Sequence, residues 1–140
     1  MKITSALAAA AILCAASPVA AQAADSPQAV CPTGQLVIVR TSQIKPGGSK
    51  AGFDKAVADN QAWYVAHGQT KNKQVGGTVL TRDKATGWSV SPDMVATVHV
   101  NPPGPEAGPA DAAWNAFVAE YQANTNMVSQ TMTCLDKPLQ

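Results

Sequence analysis

Apolar positions in this chain come in short runs whose period changes along its length. Leu36-Val37-Ile38-Val39, continued by Arg40, Thr41, Ser42, Gln43 and Ile44, predicts a strand that is apolar on both faces where it starts. Lys45-Pro46-Gly47-Gly48 ends it. Beyond Ser49, a capable helix cap, Phe53, Ala56, Val57, Asn60, Tyr64 and His67 recur at spacings of three and four, and Gly68 supplies the stop. Gly52 is the one residue that weakens this helix. Residues 74–82, with Val75, Val79 and Leu80 among Thr and Gly, read as a second strand, and residues 83–87 as a turn. Pairing resumes at Trp88-Ser89-Val90 until Pro92 interrupts it, and residues 94–100 form a third strand apolar on both faces.

A stiff Pro-rich connector, residues 101–109, leads to Asp111, which caps or opens a second helix. There Trp114, Phe117, Val118 and Tyr121 make an apolar stripe of the kind that packs on a sheet. The period changes again after Asn124. Residues 127–135 alternate loosely and read as a fourth strand, with continuation of the helix as the alternative.

The order strand, helix, strand, strand, helix, strand is the split βαβ, or ferredoxin-like, pattern: an α+β domain with a four-stranded antiparallel sheet and two helices on one face. Two helices leave the other face bare. Leu36 and Ile38 point one way while Val37 and Val39 point the other, so the bare face is apolar. Such a patch is unusual in a monomer and predicts a homodimer, sheet facing sheet; cover by the lead-in or the connector is the alternative.

The start of the chain changes the setting. Lys2, an apolar run over residues 3–16 and the small-residue site Ala21-Gln22-Ala23 predict a secretory signal, residues 1–23, cleaved after Ala23. The run is shorter than the about 20 apolar residues a membrane span needs. Residues 24–34 become a lead-in and residues 35–137 one domain, with no membrane span in the mature chain and a periplasmic or secreted location. Removing the signal removes one Lys and no acid from the 10 basic and 9 acidic residues, so the mature chain is formally neutral. That argues against nucleic acid as a partner, which a basic patch would draw. Cys14 leaves with the signal, and Cys31 and Cys134 remain. In an oxidising compartment this pair reads as a disulfide rather than as two free thiols. It lies just before the first strand and near the end of the last, which are neighbours in the ferredoxin-like arrangement.

A strand ending in Ile44-Lys45-Pro46-Gly47, then a helix opening near Phe53 and carrying Trp63 and His67 at its end, resembles the dimeric α/β-barrel superfamily, in particular its antibiotic-biosynthesis-monooxygenase-like branch. The resemblance in residues is confined to about positions 36–68, although the element order covers nearly all of the mature chain. It implies a homodimer with a ligand cavity between sheet and helices. Some members oxidise aromatic or polyketide substrates without metal or flavin. Export, the disulfide and the Pro-rich connector set this chain apart from the usual members and point away from an intracellular biosynthetic role.

Candidate chemistry is sparse. His67 at a helix end suits a proton donor or a cap on carbonyls, and His99 suits a base facing a cavity or a hydrogen-bonded structural histidine. Neither has the spacing of a metal pair, and no phosphate loop, nucleophile elbow or dinucleotide fingerprint occurs, so no metal and no cofactor is expected. Trp63, Tyr64 and Trp88, with Arg40 as a polar anchor if it faces inward, are candidates to hold a small apolar or aromatic ligand. Filling the core or the dimer seam is the competing role for the aromatics, and the one favoured for Trp114 and Tyr121. The rivals to ligand binding are a cofactor-independent monooxygenase acting through His67 or His99, and a structural or protein-binding dimer with a filled core.

Overall fold

The run that begins at Leu36 is a strand from Gln35 to Ile44 (β1), and the computed structural model of the chain describes residues 29, 31–103 and 108–139. The expected signal, residues 1–23, lies outside the described residues. The remaining elements are helix α1 (Lys50–Ala66), strands β2 (Lys73–Asp83) and β3 (Gly87–Val100), helix α2 (Ala112–Asn124) and strand β4 (Thr125–Leu135). The sheet order is β2-β3-β1-β4 with every neighbour antiparallel, the ferredoxin-like βαββαβ arrangement. Among the described residues no helix is long and apolar enough to cross a membrane.

Local chemistry sets the helix ends. The Ser49 side chain accepts from Gly52 N at 3.0 Å and caps α1. At the other end Gly68, at φ +78, turns the chain out, its N–H donating to Val65 O and that of Gln69 to Tyr64 O. This is a Schellman stop, in which the glycine takes the left-handed conformation without penalty. Asp111 caps α2 by accepting from Trp114 N at 2.7 Å. No glycine ends α2. Thr125 goes straight into extended backbone, its hydroxyl donating to Tyr121 O at 3.1 Å, and β4 begins there. The helical alternative for residues 127–135 is therefore not taken.

The β3 strand runs through Pro92, where an interruption is expected from the sequence. The interruption falls on pairing instead. Thr78 is opposite Val95 and Leu80 opposite Val90, so residues 91–94 lie in a break of the β2–β3 ladder. Pro92 has no N–H to give and sits where none is required.

Register and alternation assign the two faces of the sheet. Leu36, Ile38, Arg40 and Ser42 of β1 share the helix side with Val95, Thr97 and His99 of β3 and with Gln74 and Gly76 of β2. Phe53 and Val57 of α1 pack there on Val95, joined by Ile44 and Tyr121. A second cluster, Trp63, Tyr64 and Phe117 with Trp114, Val118 and Tyr121, joins the helices. The far side carries Val37, Val39, Val75, Met94, Ala96, Val98 and Val100. Val37 is buried, but Val39 is 38% and Val75 59% exposed, so apolar surface remains open on that side. Cys31 and Cys134 form a disulfide that ties the segment before β1 to the end of β4, where Leu36 pairs with Cys134.

Candidate functional site

Between the helices and the sheet lies a cavity of about 210 Å³. Arg40, Ser42, Gln74 and Thr97 form its sheet wall, and Phe53 of α1 and Tyr121 of α2 close over them. Gln122, Thr125 and Met127, from the α2–β4 junction, make its rim. The space exists because the inner face changes character along β1. Leu36 and Ile38 are buried apolar residues, whereas Arg40 and Ser42 beyond them are polar, opposite Thr97 and Val95 of β3.

Arg40 faces inward and is half-buried. Its Nε donates to Gln130 Oε1 across the β1–β4 pair at 2.7 Å. No carboxylate pairs with it among the described residues, whose ion pairs are Lys50–Asp54, Lys55–Asp59 and His67–Asp111. Its positive charge reaches the groups around it. Burial raises the pKa of Tyr121, and Arg40 and the hydrogen bond from Gln74 only partly offset this. Burial likewise raises that of Tyr64, with Arg40 opposing. Both phenols are therefore neutral donors at ordinary pH. Gln74 Nε2 donates to Tyr121 Oη at 2.7 Å, fixing that ring at the cavity wall.

His99 is 3% exposed and packs beside Tyr64, ring centroids 5.4 Å apart, rather than lining the cavity. Burial, aided by the Arg40 charge, lowers its pKa from 6.5 to about 4, so the imidazole is neutral at pH 7. Its Nε2 pairs with Asn72 Oδ1, and its Nδ1 is buried without a partner among the described residues. Asn72 Nδ2 and Asn60 Oδ1 are also buried and unpaired among the described residues. A histidine so weakly basic is a poor general base at neutral pH.

His67 belongs to a different place. Its ring stacks on Trp63 at 3.9 Å, Nδ1 lies 2.8 Å from Trp63 O, and Nε2 lies 3.4 Å from Asp111 Oδ2. Asp111 Oδ1 also accepts from Trp63 Nε1 at 2.9 Å. The group clasps the end of α1 to the capped start of α2 beside a shallow groove on the surface. His67 thus caps the helix, joins this clasp and lines the groove.

The aromatic candidates are likewise dispersed. Trp63 is buried between the helices, Tyr64 covers His99, and Trp88 is 68% exposed on the β2–β3 hairpin with the Arg82 guanidinium 5.7 Å from its ring centre. Of Arg40, Trp63, Tyr64 and Trp88, Arg40 alone lines the cavity. Trp114 fills core as expected, while Tyr121 both fills core and lines the cavity. Sequence reasoning passes over Gln74 and Phe53 as site residues. The available signal was a polar interruption of the inner face: Arg40 and Ser42 share the alternation of Ile38, and Gln74 pairs with His99. Among the described residues no group of three or more His, Cys, Asp or Glu is placed to hold a metal ion. Compared with known proteins, the chain matches no family model and no curated protein.

Proposed function

We propose that the chain acts, after export and cleavage of its signal, as a periplasmic or secreted homodimer of the dimeric α/β-barrel type that holds a small apolar or aromatic molecule between its helices and its sheet. The observation that carries this reading is the cavity of about 210 Å³, walled by Phe53, Met127 and Tyr121 on its apolar side and by Arg40, Gln74 and Thr97 on its polar side. An apolar hollow with a few convergent polar groups is the usual form of a small-molecule site. A protein that served only as a structural dimer would be expected to fill that space, since unfilled core volume is destabilising.

The supports for the remaining parts are separate. Disulfides persist in oxidising compartments, so the Cys31–Cys134 bond favours export. The open apolar face around Val39, Val75 and Val98 favours a second copy as its cover. Binding is preferred to oxygenation through an imidazole because neither His67 nor His99 lines the cavity. Native mass spectrometry of the mature protein purified gently from its own compartment tests the reading. A dimer with a reproducible small-molecule adduct is expected. A monomer without adduct, to which no aromatic compound binds on titration, overturns it.

A further inference from the structure

The cavity has one formal charge and nothing to answer it. No Asp or Glu lines it, and no carboxylate pairs with Arg40 among the described residues. With Nε committed to Gln130 at 2.7 Å, the two Nη groups are the part of the guanidinium left for a ligand. A half-buried cation without a counter-charge is unfavourable, and a ligand that supplies one is bound by a charge-assisted hydrogen bond.

A second donor stands on the opposite wall. Tyr121 Oη accepts from Gln74 Nε2, which leaves the phenol hydrogen for a further acceptor. Burial keeps that phenol protonated. Arginine and phenol together recognise a group with acceptors and a negative charge, while Phe53 and Met127 face the rest of the ligand with apolar surface. The volume, about 210 Å³, is below the roughly 300–1,000 Å³ of sites for drug-sized molecules, and suits a body of about one ring.

We propose that the ligand is a small monocarboxylic acid with an apolar or aromatic body, its carboxylate held by the Nη groups of Arg40. This rests on the binding reading above and narrows its chemical class. The probe pair is benzoate and its neutral isostere benzamide, titrated at pH 7 into the mature, disulfide-bonded protein. Binding is followed by NMR at the Arg40 Nε–H and at the Phe53 and Tyr121 rings. Benzoate is expected to bind about 10- to 100-fold more tightly than benzamide, the range of one charge-assisted hydrogen bond. Arg40→Met is expected to erase that preference, weakening benzoate about 10- to 100-fold more than benzamide. Arg40→Lys, which keeps the charge, retains a preference for benzoate and guards against misreading a folding defect.

Equal binding of the two probes, or a benzoate preference that survives in Arg40→Met, overturns the carboxylate assignment and leaves the cavity as a neutral site. Absence of any response at Phe53 and Tyr121 to either probe at millimolar concentration removes the binding site itself, and the assignment with it.

Discussion

A methyl group added at Gly52 is the sharpest test of how the cavity rim is anchored. Gly52 lies in the first turn of α1, where replacing glycine by alanine ordinarily stabilises a helix by about 0.5–1 kcal/mol. Here a Cβ would stand 2.2 Å from Asn124 Oδ1 and 2.4 Å from its Cγ and Nδ2. Asn124 is buried and has little freedom to yield. Its Oδ1 accepts from Ser49 N at 2.9 Å, and its Nδ2 donates to Glu120 O at 2.9 Å and Glu120 Oε1 at 3.1 Å. Expelling the amide forfeits two or three hydrogen bonds of about 1 kcal/mol each. Gly52→Ala is therefore expected to lower stability by about 1–2 kcal/mol net of the helix gain. In an Asn124→Ala background the same change meets no amide and is expected to raise stability by about 0.5–1 kcal/mol. Gly48 provides the contrast. Its Cβ would meet the Asn124 backbone, O at 2.3 Å and Cα at 2.8 Å, so Asn124→Ala gives Gly48→Ala no relief. Urea unfolding of these variants with the disulfide intact measures each difference. If Gly52→Ala stabilises the otherwise unaltered protein, the seating of Asn124 between Ser49 and Glu120 is wrong.

Three further outcomes are expected. The unfolded chain takes up a proton at His99 near pH 6.5 and the native chain only near pH 4, so stability is full above that window and falls as pH drops through it, by up to about 3 kcal/mol. Unfolding free energies between pH 7 and pH 4 should show this slope, and His99→Gln should flatten it; an unchanged slope in that variant refutes the buried neutral imidazole. Replacing Cys31 and Cys134 by Ser releases a link spanning 103 residues and should lower stability by about 4 to 5 kcal/mol on the chain-entropy account, seen as a lower urea midpoint; an unmoved midpoint sinks that account. On the homodimer and carboxylate site proposed above, Val39→Asp places a charge on the open sheet face and should yield a monomer by light scattering without loss of benzoate affinity, whereas a persistent dimer would put the interface elsewhere.

Most of the fold was legible because its signals are local. Ser49, the spacing of Phe53, Ala56, Val57 and Asn60, and the left-handed Gly68 mark α1 at both ends and along one side. The end of α2 carries no such mark. Thr125 turns the chain from helix to strand without a glycine, and what holds the turn in place is Asn124 reaching Ser49, 75 positions away in sequence. A boundary fixed by a contact of that range cannot be read from a short window, which is why residues 127–135 admit two readings in sequence. Pro92 shows the converse. Its missing donor is visible in the sequence, but its consequence depends on the partner strand, whose register skips at the same place.

Of the four residues singled out as ligand-binding candidates, Arg40 lies at the cavity and three lie away from it. Trp63, Tyr64 and Trp88 attract notice by type, yet burial takes the first two into the core and against His99, while the hairpin carries the third into solvent. Large aromatics are drawn into any interior, so their presence does not separate a filled core from a hollow one. Polar residues on a face that alternation assigns to the interior do separate them, because each needs a partner. Arg40 and Ser42 continue the inward series begun by Leu36 and Ile38, and Thr97 and His99 do the same after Val95. His99 finds Asn72 as its partner. Arg40 finds only a neutral amide for one of its nitrogens. That unanswered charge, readable in outline from the alternation of a single strand, is what gives the cavity its polarity and the proposed ligand its sign.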